Sequence, residues 1–141
     1  MNETATVSTT YRIISAFKQI EERFETALEP LGLSLAKFGC LANLVEAGEA
    51  LPLRTLASRC ACVRSNITQL VDRLEAEKLV VRADDPHDRR SVRAALTSEG
   101  RARHTQGLRA IRTVERELFS RLSAKRMEEM LESMRVLLAE P

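Results

Sequence analysis

One stretch of this chain, Leu79 to Leu96, leaves the 3.6-residue apolar period that organises every other patterned segment. A chain with a single short excursion into strand-like patterning folds as a set of helices carrying one hairpin, so the expected class is mainly α with a small β element. The expected strands are Leu79-Val80-Val81-Arg82-Ala83 and Val92-Arg93-Ala94-Ala95-Leu96. Asp84 to Arg90 reads as the charged turn between them.

The helical pattern around the hairpin resolves into six pieces. After eight small, polar residues expected to fray, Ile13, Ile14, Phe17, Ile20, Phe24, Ala27 and Leu28 mark one apolar face, and Pro30 and Gly32 end it. Ser34 is placed to cap a second helix carrying Leu35, Phe38, Leu41, Ala42 and Val45, with Leu51-Pro52-Leu53 as an extended connector after it. A short third helix over Arg54–Arg59 leads through Cys60-Ala61-Cys62-Val63 into a fourth over Arg64–Glu77, striped by Ile67, Leu70, Val71 and Leu74. Thr97 caps a fifth helix, whose inward face reads as Leu108, Ile111, Glu115, Leu118 and Leu122. Ser123 caps a sixth, with Met127, Met130, Leu131, Met134, Leu137 and Leu138 at heptad-like spacing.

Composition narrows the function classes. At 141 residues, 44% apolar and 30% charged, the chain is one globular domain's worth. Three cysteines cannot complete a disulfide framework, which points to a reducing, cytoplasmic home. No run of apolar residues reaches membrane-spanning length and the N-terminus has no signal-peptide pattern. With five glycines and no phosphate-binding, nucleophile-elbow or zinc-protease motif, catalysis is not expected, and neither is a cofactor. Two Cys with His87 and His104 make no recognisable ligand set, so no metal is expected. The net charge is +2, yet residues 54–103 hold 11 Lys and Arg against 7 Asp and Glu, placing a basic centre between slightly acidic ends.

The order short helix, tight turn, helix, hairpin is that of a winged helix-turn-helix. If the fourth helix buries its stripe, Ser65, Thr68, Gln69 and Asp72 face outward, flanked by Arg64, Asn66 and Arg73. A DNA major groove about 12 Å wide admits one such helix, and Asn or Gln pairs bidentately with adenine. Arg89 and Arg90 at the hairpin tip suit the negative potential of a narrow minor groove. Asp88 beside them repels phosphate unless it pairs internally, with Arg73 or a neighbouring wing Arg, and so aims the wing. A polar face opposite an apolar one is common on any surface helix, so it is the ordered combination that points to double-stranded DNA. A helical protein-interaction adaptor is the rival reading, separated by whether the chain binds duplex DNA in a salt-sensitive way.

Leu56-Ala57, then Ile67 through Glu75, then Asp85-Pro86-His87-Asp88-Arg89-Arg90, then Leu96-Thr97-Ser98-Glu99-Gly100 resembles the multiple-antibiotic-resistance regulator (MarR) family. The resemblance implies a homodimeric transcriptional regulator, typically a repressor of a pseudo-palindromic operator, with flanking dimerisation helices. It implies Arg64 to Arg73 as the recognition helix, Arg90 as the wing residue entering the minor groove and Asp88 as its structural partner. Residues 1–33 and 101–141 then hold dimerisation helices around a DNA-binding lobe over 34–100. The sequence departs from the family at Val63, where a capping Ser or Thr is usual, at Lys78, where Gly is usual, and at Cys60 and Cys62.

Such regulators release DNA when a small effector binds between the two lobes. Tyr11, Phe17, Phe38, Leu41 and His104 are the candidate lining for an aromatic acid, each more commonly plain core or interface. The alternative is a thiol switch using Cys40, Cys60 and Cys62, against the ordinary packing of Cys as a small hydrophobe.

Overall fold

The computed structural model describes residues 3–60 and 64–139 and, for side chains, residues 8–60 and 66–139. Helix α1 (Glu3–Leu28) begins earlier than expected, because no Gly or Pro interrupts that stretch. A 3-10 turn (Glu29–Leu31) and Gly32, at φ +67°, reverse the chain into α2 (Leu35–Ala47). Ser34 caps α2 as predicted, its Oγ accepting the Lys37 N–H at 3.1 Å. Then come β1 (Leu51–Pro52), α3 (Leu53–Arg59), α4 (Arg64–Ala76), β2 (Val80–Asp85), β3 (Asp88–Leu96), α5 (Ser98–Phe119) and α6 (Ala124–Leu138). Among the described residues no single helix is long and apolar enough to cross a membrane.

Two features of the sheet differ from the sequence expectation. The connector at Leu51-Pro52 is a short strand, pairing Leu51 with Ala94 and Pro52 with Arg93, so the order is β1-β3-β2. Pro52 is tolerated because β1 is an edge. The hairpin strands also run through the charged tip, leaving only Pro86 and His87 between them. The tip's own carboxylates make this possible: Asp85 Oδ1 accepts the His87 N–H and Asp88 Oδ1 the Arg90 N–H, each at 2.9 Å.

The core is made by Leu28, Leu41, Leu44, Leu56, Ile67, Val71, Leu74, Leu79 and Val80, all sealed from solvent. Burial of each such side chain stabilises by about 1.5–3 kcal/mol. The inward face of α5 differs from the expected one. Gly100, Gly107, Ile111 and Val114 are buried, while Leu108, Leu118 and Leu122 are half-buried and Glu115 is exposed. The glycines decide this. A Cβ on Gly100 would lie 2.0 Å from the Leu79 carbonyl oxygen, and one on Gly107 2.8 Å from the Phe38 ring, so α5 lies on its neighbours along a small-residue track.

The outer helices carry apolar faces that the protomer leaves open. Ile13, Ile14, Phe17 and Ile20 on α1 are exposed, as are Leu131, Val136, Leu137 and Leu138 on α6. No residue of α6 is buried.

Candidate nucleic-acid interface

Helix α4 sits on its apolar stripe: Ile67, Leu70, Val71 and Leu74 are buried, and Asn66, Thr68, Gln69, Asp72 and Arg73 face solvent. Of the candidate contact residues, Arg64 and Ser65 fall in α4 with side chains outside the described residues, and Cys62 and Val63 lie outside them altogether. The polar face is continuous with two depressions. One, of about 240 Å³, lies between Ala36 at the start of α2 and Asn66, Gln69 and Arg73. The other, of about 300 Å³, is walled by Leu53 and Arg54 of α3, Thr68 of α4, and Asp88, Arg90, Ser91 and Val92 of the wing. Helix and hairpin thus form one polar surface with Arg90 at its edge, and Arg89 and Arg90 are both exposed.

Three linkages hold this surface in shape. At the end of α4 the Leu79 N–H reaches Leu74 O and the Lys78 N–H reaches Glu75 O, each at 2.9 Å, with Lys78 at φ +62°. This is the glycine-type helix stop, here carried by lysine. On the edge strand β2, the Arg82 guanidinium pairs with Asp72 and Glu75 of α4, which raises its already high pKa against the opposing effect of burial. At the hairpin end Asp85, only 9% exposed, lies 3.1 Å from Arg93 Nε. The His87 N–H, helped by the Arg93 charge, holds the Asp85 carboxyl below its ordinary range despite burial.

Asp88 has an internal partner, and of the two expected it is the neighbouring wing Arg, Arg90, met through its main-chain N–H. It accepts the Arg90 main-chain N–H and so braces the wing turn, while Arg73 lies along α4. The buried acid of the wing is Asp85. Sequence reasoning placed Arg93 in the wing without its Asp85 partner, and gave no role to Arg54, Arg82 or Asp85. The available signal was positional: Arg54 lies in the first turn of α3, just after the edge strand, and Arg82 and Arg93 interrupt the apolar runs Leu79–Ala83 and Val92–Leu96.

The candidate effector residues divide into two groups. Phe38 and His104 stack with ring centroids 5.3 Å apart and planes 8° from parallel, and Leu41 is buried in the core. Tyr11 and Phe17 are 74% and 47% exposed on α1. Burial, with the charge of Arg101 adding to it, lowers the His104 pKa.

Residues 31–91, the segment holding the helix-turn-helix and the wing tip, match the MarR family. The chain is 35% identical over 91 residues to the uncharacterised HTH-type transcriptional regulator YkoM of Bacillus subtilis (strain 168), covering 64% of this chain and 58% of that protein. The segment 31–91 is similar to the MarR family. The chain's fold is that of solved MarR-family proteins. With the regulator Sco3205 of Streptomyces coelicolor, solved in complex with DNA, it shares 26% identity at a TM-score of 0.84, over 97% of this chain and 88% of that one. With CouR of Rhodococcus jostii RHA1, solved with p-coumaroyl-CoA, it shares 24% identity at a TM-score of 0.80, over 96% and 95%. The chain spans somewhat over half the length of the curated relatives it matches, 54–58%. YkoM and Sco3205 are both described as transcriptional regulators, and among the described residues six α-helices and a three-stranded sheet give this chain the winged-helix fold of Sco3205.

Proposed function

We propose that this chain is a DNA-binding transcriptional regulator, acting as a repressor, that binds a pseudo-palindromic operator as a homodimer. The observation that carries the reading is the single polar surface running from α4 through the 300 Å³ depression to Arg90. In it α4 occupies a major groove, with Asn66, Thr68 and Gln69 toward base edges and Arg64, Ser65 and Arg73 toward bases or phosphates. Arg89 and Arg90 reach the adjacent minor groove, with Asp88 and Asp85 bracing the turn that carries them. Residues 34–100 form the DNA-binding lobe. Residues 1–33 and 101–141 form the dimerisation helices, and the exposed apolar faces of α1 and α6 supply the surface that a second copy covers.

A small aromatic acid, or a thioester of one, releases the DNA. The Phe38–His104 stack is the site favoured for it, since it joins α2 of the DNA-binding lobe to α5. The solved complex of CouR with p-coumaroyl-CoA makes this chemistry a reasonable probe.

Rounds of selection from a randomised duplex pool test the reading. Expected are recovered sites with two half-sites about one helical turn apart. Affinity should fall with salt at a log–log slope of about −0.9 per phosphate contacted. Sedimentation should give twice the chain mass. Failure to enrich any duplex, or binding insensitive to salt, overturns it in favour of a protein adaptor.

A further inference from the structure

The start of α3 is fastened to the wing. Strand β1 pairs with β3 at Leu51–Ala94 and Pro52–Arg93, and α3 begins at the next residue, Leu53. Arg54, in the first turn, therefore lines the 300 Å³ depression together with Arg90, Ser91 and Val92 of the wing, with Thr68 of α4 as a further wall. The arginines around this depression differ in how their charge is used. Arg82 is matched by Asp72 and Glu75, and Arg93 by Asp85. Arg54 and Arg90 are exposed and make no ion pair among the described residues. One carboxylate shares the depression, that of Asp88, whose Oδ1 is taken up by the Arg90 N–H. A guanidinium with its charge open, facing the same depression as a serine hydroxyl, is a donor set for an oxyanion.

The shape of the duplex names the occupant. A major groove and the minor groove beside it are separated by a single sugar–phosphate strand. With α4 in the one and Arg90 in the other, that strand has to cross between Thr68 and the wing, which is where the depression lies. We propose that the depression seats one backbone phosphate of that strand, with Arg54 as its charged ligand and the Ser91 hydroxyl as a second donor; this rests on the reading above, in which α4 and the wing take adjacent grooves. Arg54 is then a positioning residue. A phosphate carries no base information, but holding it fixes how far α4 enters the major groove and how far the wing tip reaches into the minor one. The Arg54 charge also offsets that of Asp88, which by itself repels the strand the depression has to admit. Because β1 ties α3 to β3, the seat moves with the wing rather than independently of it.

The test places a single neutral methylphosphonate at each position in turn along one half-site of the selected duplex, and measures affinity at several salt concentrations. The wild type should lose about tenfold at one position on the strand between the grooves, as for a hydrogen bond to a charged group. Arg54→Ala should lose about as much on the unmodified duplex, for all sequences alike, with a salt slope smaller by about one phosphate. Since Arg54 is exposed, this variant should melt with the wild type. The combination decides. In Arg54→Ala the methylphosphonate at that position should cost little more, whereas Arg73→Ala, on the other flank of α4, should still lose about tenfold there. Arg54→Lys, a cation without the planar fork, should recover part of the affinity. Costs that multiply at every position in Arg54→Ala overturn the seat, as does unchanged affinity of that variant on the unmodified duplex. A wild type that enriches no duplex, or that ignores every methylphosphonate, overturns the DNA reading and the seat with it.

Discussion

Glu75 holds Arg82 twice, its Oε1 3.0 Å from the Arg82 guanidinium and its Oε2 accepting the Arg82 main-chain N–H at 2.9 Å. A helix carboxylate thereby satisfies the edge of β2 and locks the wing to α4. Glu75→Ala should cost about 1 kcal/mol, a modest figure because the pair is partly solvated. It should weaken duplex binding further by freeing the wing. Urea denaturation and gel-shift titration on the same variant check both effects, and Glu75→Gln should lose less of each.

Thr97 and Gly100 form a joint with no slack. Thr97 Oγ1 accepts the Gly100 N–H at 2.9 Å and donates toward Lys78 O and Leu79 O. Gly100→Ala places its Cβ against the Leu79 carbonyl, and backbone cannot yield as a flexible side chain can. The expected loss is at the top of the overpacking range, about 3 kcal/mol. A melting temperature equal to that of the wild type would contradict the close approach.

Lys78 holds a left-handed backbone at φ +62°, a strain of about 1 kcal/mol for a residue with a Cβ. Lys78→Gly relieves it, less the entropy that glycine gives the unfolded chain. Thermal denaturation should show a small rise in melting temperature.

On DNA, Arg90→Ala should weaken binding to all duplexes about equally and reduce the salt slope by about one phosphate. Asn66→Ala or Gln69→Ala should instead relax the preference at one base pair, by about 1–3 kcal/mol of discrimination. Parallel selections with each variant separate the two behaviours.

His104 carries a pH dependence. Its folded pKa lies below its ordinary 6.5, so its neutral form is favoured by folding. The associated stability is complete above pH 6.5 and is lost as pH falls through the lowered folded value. Between pH 7 and 5 the wild type should lose melting temperature faster than His104→Gln.

Much of this was legible locally. The caps at Ser34, Thr97 and Ser123 and the stripe on α4 follow from short-range stereochemistry, and each is found where residues a few positions apart require it; the left-handed turn at Lys78 was implied only by the family resemblance. The inward face of α5 was not legible, nor was the atom of Arg90 that Asp88 would meet. The Asp88 oxygen could reach several donors, and only the two-residue turn at Pro86-His87 brings the Arg90 N–H to it. Counting large apolar residues on α5 favoured Leu108 and Leu118 over Gly100 and Gly107. A glycine's contribution lies in the neighbour it admits, which periodicity does not register.

The sequence by itself determined the order of the elements, the buried stripe of the helix-turn-helix and the location of the basic surface. Each depends on periods of 3.6 and 2 and on charges close along the chain. Only the tertiary structure decided that Arg82 ties the wing to α4, that Asp85 rather than Asp88 is the buried acid, and that Cys40 is sealed in the core while Cys60, half-buried at the end of α3, accepts from Asn43 of α2. Those contacts depend on how α2, α3 and the sheet settle against one another, and packing brings together groups that no local pattern pairs.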